Sequence, residues 1–153
     1  MSRGELRLGP GGEFDLIRRI TRGLPRLPEG VVVGPGDDAA VLEGGWVISS
    51  DLVVEEVHFR REWLRPRELG SRAAAAALSD LAAMAALPVA VLVSMALPEG
   101  LRSSVEEIQA GIREQVEGFG AMVVGGDLSR SLGPLVVDVV VLGRTDTPVL
   151  RSG

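Results

Sequence analysis

Residues 66–97 read PRELGSRAAAAALSDLAAMAALPVAVLVSMAL, and this stretch decides the fold class. Pro66 suits the first helical position, where its missing N–H is no loss. From Ala73 to Leu87 small and apolar residues recur at helical spacing, with Asp80 the one charge among fifteen residues. Pro88 stops the helix. Val89–Leu97 follows as an apolar run of strand length without alternation. The pattern predicts a helix from Pro66 to about Ala86, then a strand covered on both faces. Neither apolar run reaches the ~20 residues of a membrane-spanning helix, so no membrane partner is expected.

Downstream, Ser103 or Ser104 is placed to cap a second helix, with Glu106 and Glu107 positioned for a capping box. That helix runs to about Phe119, where Gly118 and Gly120 mark its end. Ala121–Val124 then reads as a strand leading into Gly125-Gly126-Asp127, and Leu135–Leu142 as a last long strand. Upstream, Val31–Val33, Ala39–Leu42 and Trp46–Ser50 are three short strands. They are joined by the turns Gly34-Pro35-Gly36-Asp37-Asp38 and Gly44-Gly45, and the third ends at Asp51. Phe14, Ile17 and Ile20 give Glu13–Thr21 a helical period, behind a glycine-rich arm over residues 1–12. The order is helix, three strands, helix, strand, helix, two strands. It predicts an α+β two-layer sandwich over residues 13–153, a mixed sheet with helices on one face. The sheet face or edge left exposed invites a homodimer.

The composition closes off several chemistries. The 153 residues are 46% hydrophobic and 24% charged, which is one ordinary globular domain by length and balance. The net charge of −5 disfavours a nucleic-acid partner held through phosphates. Cysteine is absent, which excludes disulfides, thiolate metal sites and thiol nucleophiles. Lysine is absent too, which removes the P-loop lysine and Schiff-base chemistry. The one histidine, His58, cannot build an imidazole metal site alone, and as a lone residue it reads first as structural. No apolar stretch follows the charges of MSRGELRLGPGG, so no signal peptide is expected and the default location is cytoplasmic.

What remains for chemistry is carboxylate. Asp37 and Asp38 lie in a glycine turn before an apolar strand, Asp51 and Asp127 at strand ends, and Asp80 on the small-residue face of its helix. Taken singly, each has an ordinary explanation. Asp37 and Asp38 are common turn residues, Asp51 can cap a turn, Asp127 can pair with Arg130, and Asp80 can be ion-paired or face solvent. Their joint placement favours a shared cation, because a lone ionised carboxylate on an apolar face is costly. Oxygen ligands without imidazole or thiolate select magnesium or calcium. Carboxylate-held magnesium commonly serves phosphate chemistry. No GxxxxGK[ST] and no GxGxxG after a strand occurs, so any nucleotide sits in an unfamiliar cradle. Asp138, inside LVVDVVVL, is read as facing solvent or a dimer contact.

Taken together, the segments resemble thiamine-monophosphate kinases. The matching stretches begin with Gly12-Glu13-Phe14-Asp15-Leu16-Ile17, Gly36-Asp37-Asp38-Ala39-Ala40-Val41, and Ser49-Ser50-Asp51 with Val57-His58-Phe59. They continue with Leu78-Ser79-Asp80-Leu81-Ala82-Ala83-Met84 before Pro88, Gly125-Gly126-Asp127 with Ser129-Arg130-Ser131, and Gly143-Arg144 with Arg151-Ser152-Gly153. The resemblance implies the superfamily of aminoimidazole-ribonucleotide synthetase and selenophosphate synthetase. It implies ATP and Mg2+ as co-substrate and cofactor, and a sheet that dimerises into a barrel across a two-fold axis. The implied reaction is direct in-line transfer of the ATP γ-phosphoryl to thiamine monophosphate, giving thiamine diphosphate. Carried over by residue, Asp38, Ser49, Ser50, Asp51, Asp80 and Asp127 hold magnesium. Gly126, Asp127 and Arg151 contact ATP, and His58 contacts the thiamine phosphate. The family's C-terminal domain is expected to be absent from this chain, which therefore reads as an N-terminal half inactive alone. The alternatives are a non-catalytic nucleotide-binding and dimerisation module, or another ATP-dependent member of the superfamily. Three positions depart from the family's pattern: Leu128 stands for a usual threonine, and Glu56 and Ala85 for usual glycines.

Overall fold

The computed structural model describes residues 12–150. In chain order the elements are α1 (Gly12–Thr21), β1 (Val31–Val33), β2 (Ala40–Leu42), β3 (Trp46–Val54), α2 (Pro66–Ala83), β4 (Leu87–Pro98), α3 (Val105–Gly118), β5 (Met122–Ser131) and β6 (Val136–Arg144). This is the element order expected from the sequence. The glycine-rich arm lies almost wholly outside the described residues. The six strands form one mixed sheet in the order β1-β2-β3-β6-β4-β5. Every neighbouring pair is antiparallel except β4 and β5, which run parallel with α3 as the crossover between them.

The layers follow from alternation along the strands. Val137, Val139 and Val141 of β6 and Val91 and Val93 of β4 are buried on one face. Ala73, Ala74, Ala77 and Leu81 of α2 pack against that face, and α3 packs beside α2 and on β5. Alanines on the sheet side of α2 bring the helix close to the strands. Gly70 and Gly111 bring the two helices close to each other. A methyl group on Gly70 would lie 2.0 Å from the Ile108 carbonyl oxygen, and one on Gly111 would lie 1.9 Å from that of Arg67. At this crossing backbone touches backbone, so no side chain larger than hydrogen fits.

Several boundaries differ from the sequence reading, each for a physical reason. β3 does not stop at Ser50 but runs to Val54, because β6 offers it a continuous antiparallel partner from Arg144 to Val136. β5 does not end before the glycines but passes through Gly125-Gly126-Asp127, so Asp51 and Asp127 lie within strands rather than at their ends. β4 is buried on one face only; Leu92 on the other is 37% exposed. α2 ends three residues earlier than expected, with Met84 as its C-cap and Ala85 turning left-handed at φ 54°. The expected serine cap of α3 is not made: a 3-10 turn over Glu99–Ser104 feeds the helix directly, and Ser104 forms no side-chain cap bond. In α1, Ile17 and Ile20 remain exposed.

Candidate functional site

The β1–β2 turn, β3 and the middle of α2 meet at one serine. Ser49 points to the helix face of the sheet, and its Oγ donates to Asp80 Oδ2 at 2.6 Å. The Asp38 carbonyl oxygen is a second acceptor within reach at 3.2 Å. In the turn, the Asp38 N–H donates to Asp37 Oδ1 at 2.9 Å, which fixes the approach of the chain to β2. Asp37, Asp38 and Asp80 are all half-buried. Three oxygen-bearing residues far apart in sequence are thus tied into one junction. The small side chains of α2 explain how Asp80 comes near the sheet: alanine on both sides leaves room for a carboxylate at the strand surface.

The remaining residues singled out from the sequence are placed differently. Ser50 turns to the opposite face, where its Oγ donates to Asp138 Oδ1 at 2.7 Å. Asp51, by alternation, shares the face of Ser49, opposite Val139. Gly126 and Asp127 lie on β5. The row Asp51–Val139–Val93–Gly126 crosses three strand spacings, about 14 Å along the sheet. Among the described residues no group of three or more acidic or histidine side chains comes close enough to hold a metal ion. Arg151 lies outside the described residues. The donors fit magnesium in kind, because every one is an oxygen. The sparse geometry also fits an ion that takes one or two carboxylates and completes its octahedron with water and phosphate.

Of the two glycines before Asp127, which the sequence marks as a place of close approach to the backbone, Gly126 meets a neighbouring strand. Gly126 has φ 149°, and a methyl group there would lie 1.7 Å from the Val93 carbonyl oxygen. What approaches this glycine is therefore the chain's own strand β4. The same segment borders an open cleft of about 460 Å³ lined by Val93, Met95, Val105, Gln109, Gly126 and Asp127. A neighbouring cleft of about 430 Å³ includes Leu97, Arg102, Leu128 and Arg130. Neither Gln109 nor Val105 stood out in the sequence, since each occupies an ordinary helix position and only the β4–α3–β5 crossover brings it to the glycines.

His58 is exposed on the turn that follows β3, and its Nδ1 accepts from the Val54 N–H at 3.0 Å. The neighbouring Glu55 is a buried carboxylate, 4% exposed, that the sequence reading passed over. Its Oε2 accepts from the Leu135 N–H at 2.8 Å, and its Oε1 accepts from Arg61 Nε.

Residues 36–145 match the family model described as AIR synthase related protein, N-terminal domain. The thiamine-monophosphate kinase of Mycobacterium tuberculosis (strain CDC 1551 / Oshkosh) is 40% identical over 148 residues, covering 93% of this chain and 44% of the relative. The crystal structure of thiamine monophosphate kinase from Aquifex aeolicus superposes with a TM-score of 0.74 at 29% identity, over 97% of this chain and 46% of that one. The structure of AaThiL complexed with AMPPCP and TMP gives a TM-score of 0.77 at 31% identity, over 94% of this chain and 44% of that one. The chain thus spans less than half the length of these relatives.

Proposed function

The chain belongs to the AIR synthase related family, matching its N-terminal domain, and its relatives are thiamine-monophosphate kinases; on that footing we propose that it forms the ATP- and magnesium-binding part of a kinase converting thiamine monophosphate to thiamine diphosphate. The observation that carries the reading is the junction of Asp38, Ser49 and Asp80, with Ser49 Oγ 2.6 Å from the Asp80 carboxylate. It holds oxygen donors at the seam between strand and helix, where a hard cation and its phosphates can dock. The relative complexed with AMPPCP, an ATP analogue, and TMP supports the pair of substrates.

In this reading Asp38, Ser49, Asp51, Asp80 and Asp127 supply oxygens to magnesium, while Ser50 contributes only its main chain, because its hydroxyl serves Asp138. Bound magnesium supplies neutralisation of charge on the phosphate oxygens. The chain's own part is positional. Ser49 orients the Asp80 carboxylate, the Asp37 carboxylate fixes the backbone at Asp38, and Gly126 keeps β5 against β4 beside the cleft. We place the adenine in that cleft against Val93, Met95 and Val105, with Leu128 beside it, and we assign Arg151 to the ATP. Aliphatic side chains there take the stacking role that tyrosine, absent from this sequence, cannot. Phosphoryl transfer asks for in-line alignment and charge neutralisation more than for a general base. His58 is the residue we assign to the thiamine phosphate.

The uncovered sheet face, with Leu52 49% exposed and Leu92 37% exposed, is the surface we assign to a homodimer closing a barrel across a two-fold axis. No helix among the described residues is long and apolar enough to cross a membrane. The kinase reading is tested by joining the chain to the C-terminal part of a thiamine-monophosphate kinase and supplying Mg·ATP and thiamine monophosphate. Thiamine diphosphate is the expected product. Nucleotide binding without transfer would favour a non-catalytic binding and dimerisation module.

A further inference from the structure

We infer that Glu55 is a positioning residue for His58, holding the imidazole with Nδ1 on the Val54 N–H so that Nε2–H is the donor presented outward to an anionic oxygen. A backbone N–H can only donate, so the imidazole nitrogen facing it at 3.0 Å must be an acceptor. In a neutral ring the single proton then sits on the other nitrogen, Nε2. The turn that makes this contact is closed around itself. The N–H groups of Val57 and His58 both donate to the Val54 carbonyl, at 3.2 and 2.9 Å, and the Glu56 N–H donates to the Phe59 carbonyl at 2.8 Å. Phe59 is 2% exposed and roots the far side of the turn in the core.

Glu55 locks both ends of this loop. Backward, it exchanges two bonds with Leu135, just before β6: its N–H donates to the Leu135 carbonyl at 2.9 Å, and its Oε2 accepts from the Leu135 N–H at 2.8 Å. Forward, its Oε1 receives Arg61 Nε across six residues. The closure is needed because the loop contains a strained residue, Glu56 at φ 66°. A left-handed non-glycine conformation persists only where its surroundings over-determine it. With the clamp gone, Glu56 relaxes, the turn opens and the imidazole leaves Val54. No other charged group in the structure has this burial: Glu55 is the one buried charged residue among those described. The functional weight of the inference rests on the assignment of His58 to the substrate phosphate.

His58 is the only histidine, so a uniformly 15N-labelled sample of the full chain shows one imidazole. The measurement is its Nδ1 and Nε2 shifts near pH 8, where histidine is ordinarily neutral, together with hydrogen exchange at the Val54 amide. The wild type is expected to show an unprotonated, hydrogen-bonded Nδ1 and a protected Val54 amide. Glu55→Gln keeps an oxygen for the Leu135 N–H but loses the charge that holds Arg61. It is expected to speed Val54 exchange by about tenfold or more, as local opening does, and to move the imidazole shifts toward those of free histidine. Amides of α2 should stay protected, which a general loss of stability would not allow. Unchanged Val54 protection and imidazole shifts in Glu55→Gln would overturn the inference. If that variant does not fold, Arg61→Gln releases the same clamp from its half-exposed end, with the same expected and contrary results. Thiamine monophosphate added to the wild type should shift Nε2. A silent Nε2 beside a protected Val54 amide counts against the substrate assignment while supporting the positioning role.

Discussion

Among the described residues, two carry left-handed backbone without being glycine, Glu56 at φ 66° and Ala85 at φ 54°. They are the two positions where the resemblance led one to expect glycine. The physical reason is now visible: Ala85 follows the C-cap of α2, where the chain must reverse into β4, and Glu56 sits in the closed turn that carries His58. A Cβ in this region costs roughly 1–2 kcal/mol, part of which glycine returns through its larger unfolded-state entropy. Ala85→Gly should therefore stabilise the chain by about 1 kcal/mol and raise Tm by about 2–4 °C, read by thermal unfolding. A lower Tm would mean that Ala85 makes packing contacts worth more than its strain. At the same scale, Ser49→Ala removes the donor to Asp80 at 2.6 Å and should cost about 1–2 kcal/mol of stability. Urea unfolding measures this directly. That Asp80 needs a partner was legible in the sequence, because a charge on an alanine-rich helix face calls for one; that Ser49 donates to it was not. The partner's side of the strand was not legible. Ser49 and Ser50 are neighbours of the same type, and only the sheet's register sends one to Asp80 and the other to Asp138.

The elements were read correctly in kind and order, because helical and strand periods are local properties of the chain. Their ends were not, because ends are set by partners. β3 extends to Val54 and β5 through its glycines since β6 and β4 supply hydrogen bonds there. The contact of α2 with α3 was equally hidden, for Gly70 and Gly111 look like weak helix formers until the crossing is seen. Gly70→Ala and Gly111→Ala should each destabilise by about 1–3 kcal/mol, by forcing two backbones apart. The double variant should lose less than the sum, since one displacement relieves both clashes. Additive losses would show that the two glycines act separately. The same helices are linked by Arg67, whose Nε donates to Glu114 Oε2 at 2.9 Å. The bond from Arg67 holds the Glu114 carboxyl below its usual range. A carboxyl so lowered stabilises the fold above its unfolded-state value, and that contribution is lost as pH falls through the folded-state value. Arg67→Gln should thus flatten the fall of Tm with pH on the acid side. Both groups are exposed, so the change should be small.

At the scale of the molecule, the sheet has one face packed on helices, while among the described residues Leu52 and Leu92 stand exposed on the other. If that face closes a homodimer, light scattering gives twice the chain mass. Leu92→Asp should then give a folded monomer, because an unpaired charge cannot be buried at such a seam. A wild-type monomer would remove the barrel from the account. The candidate site also belongs to this scale. Asp51, on the face of Ser49, and Gly126 stand about 14 Å apart along the sheet by strand spacing, a distance no spacing in the sequence announces. The proposed site therefore calls for an extended, multiply charged ligand to join them. Calorimetric titration of the chain with a non-hydrolysable ATP analogue, with and without magnesium and beside Asp80→Asn, shows whether one ligand does so. Binding should require magnesium and disappear in Asp80→Asn. Binding of equal strength without magnesium, or undiminished in Asp80→Asn, would contradict the proposed site.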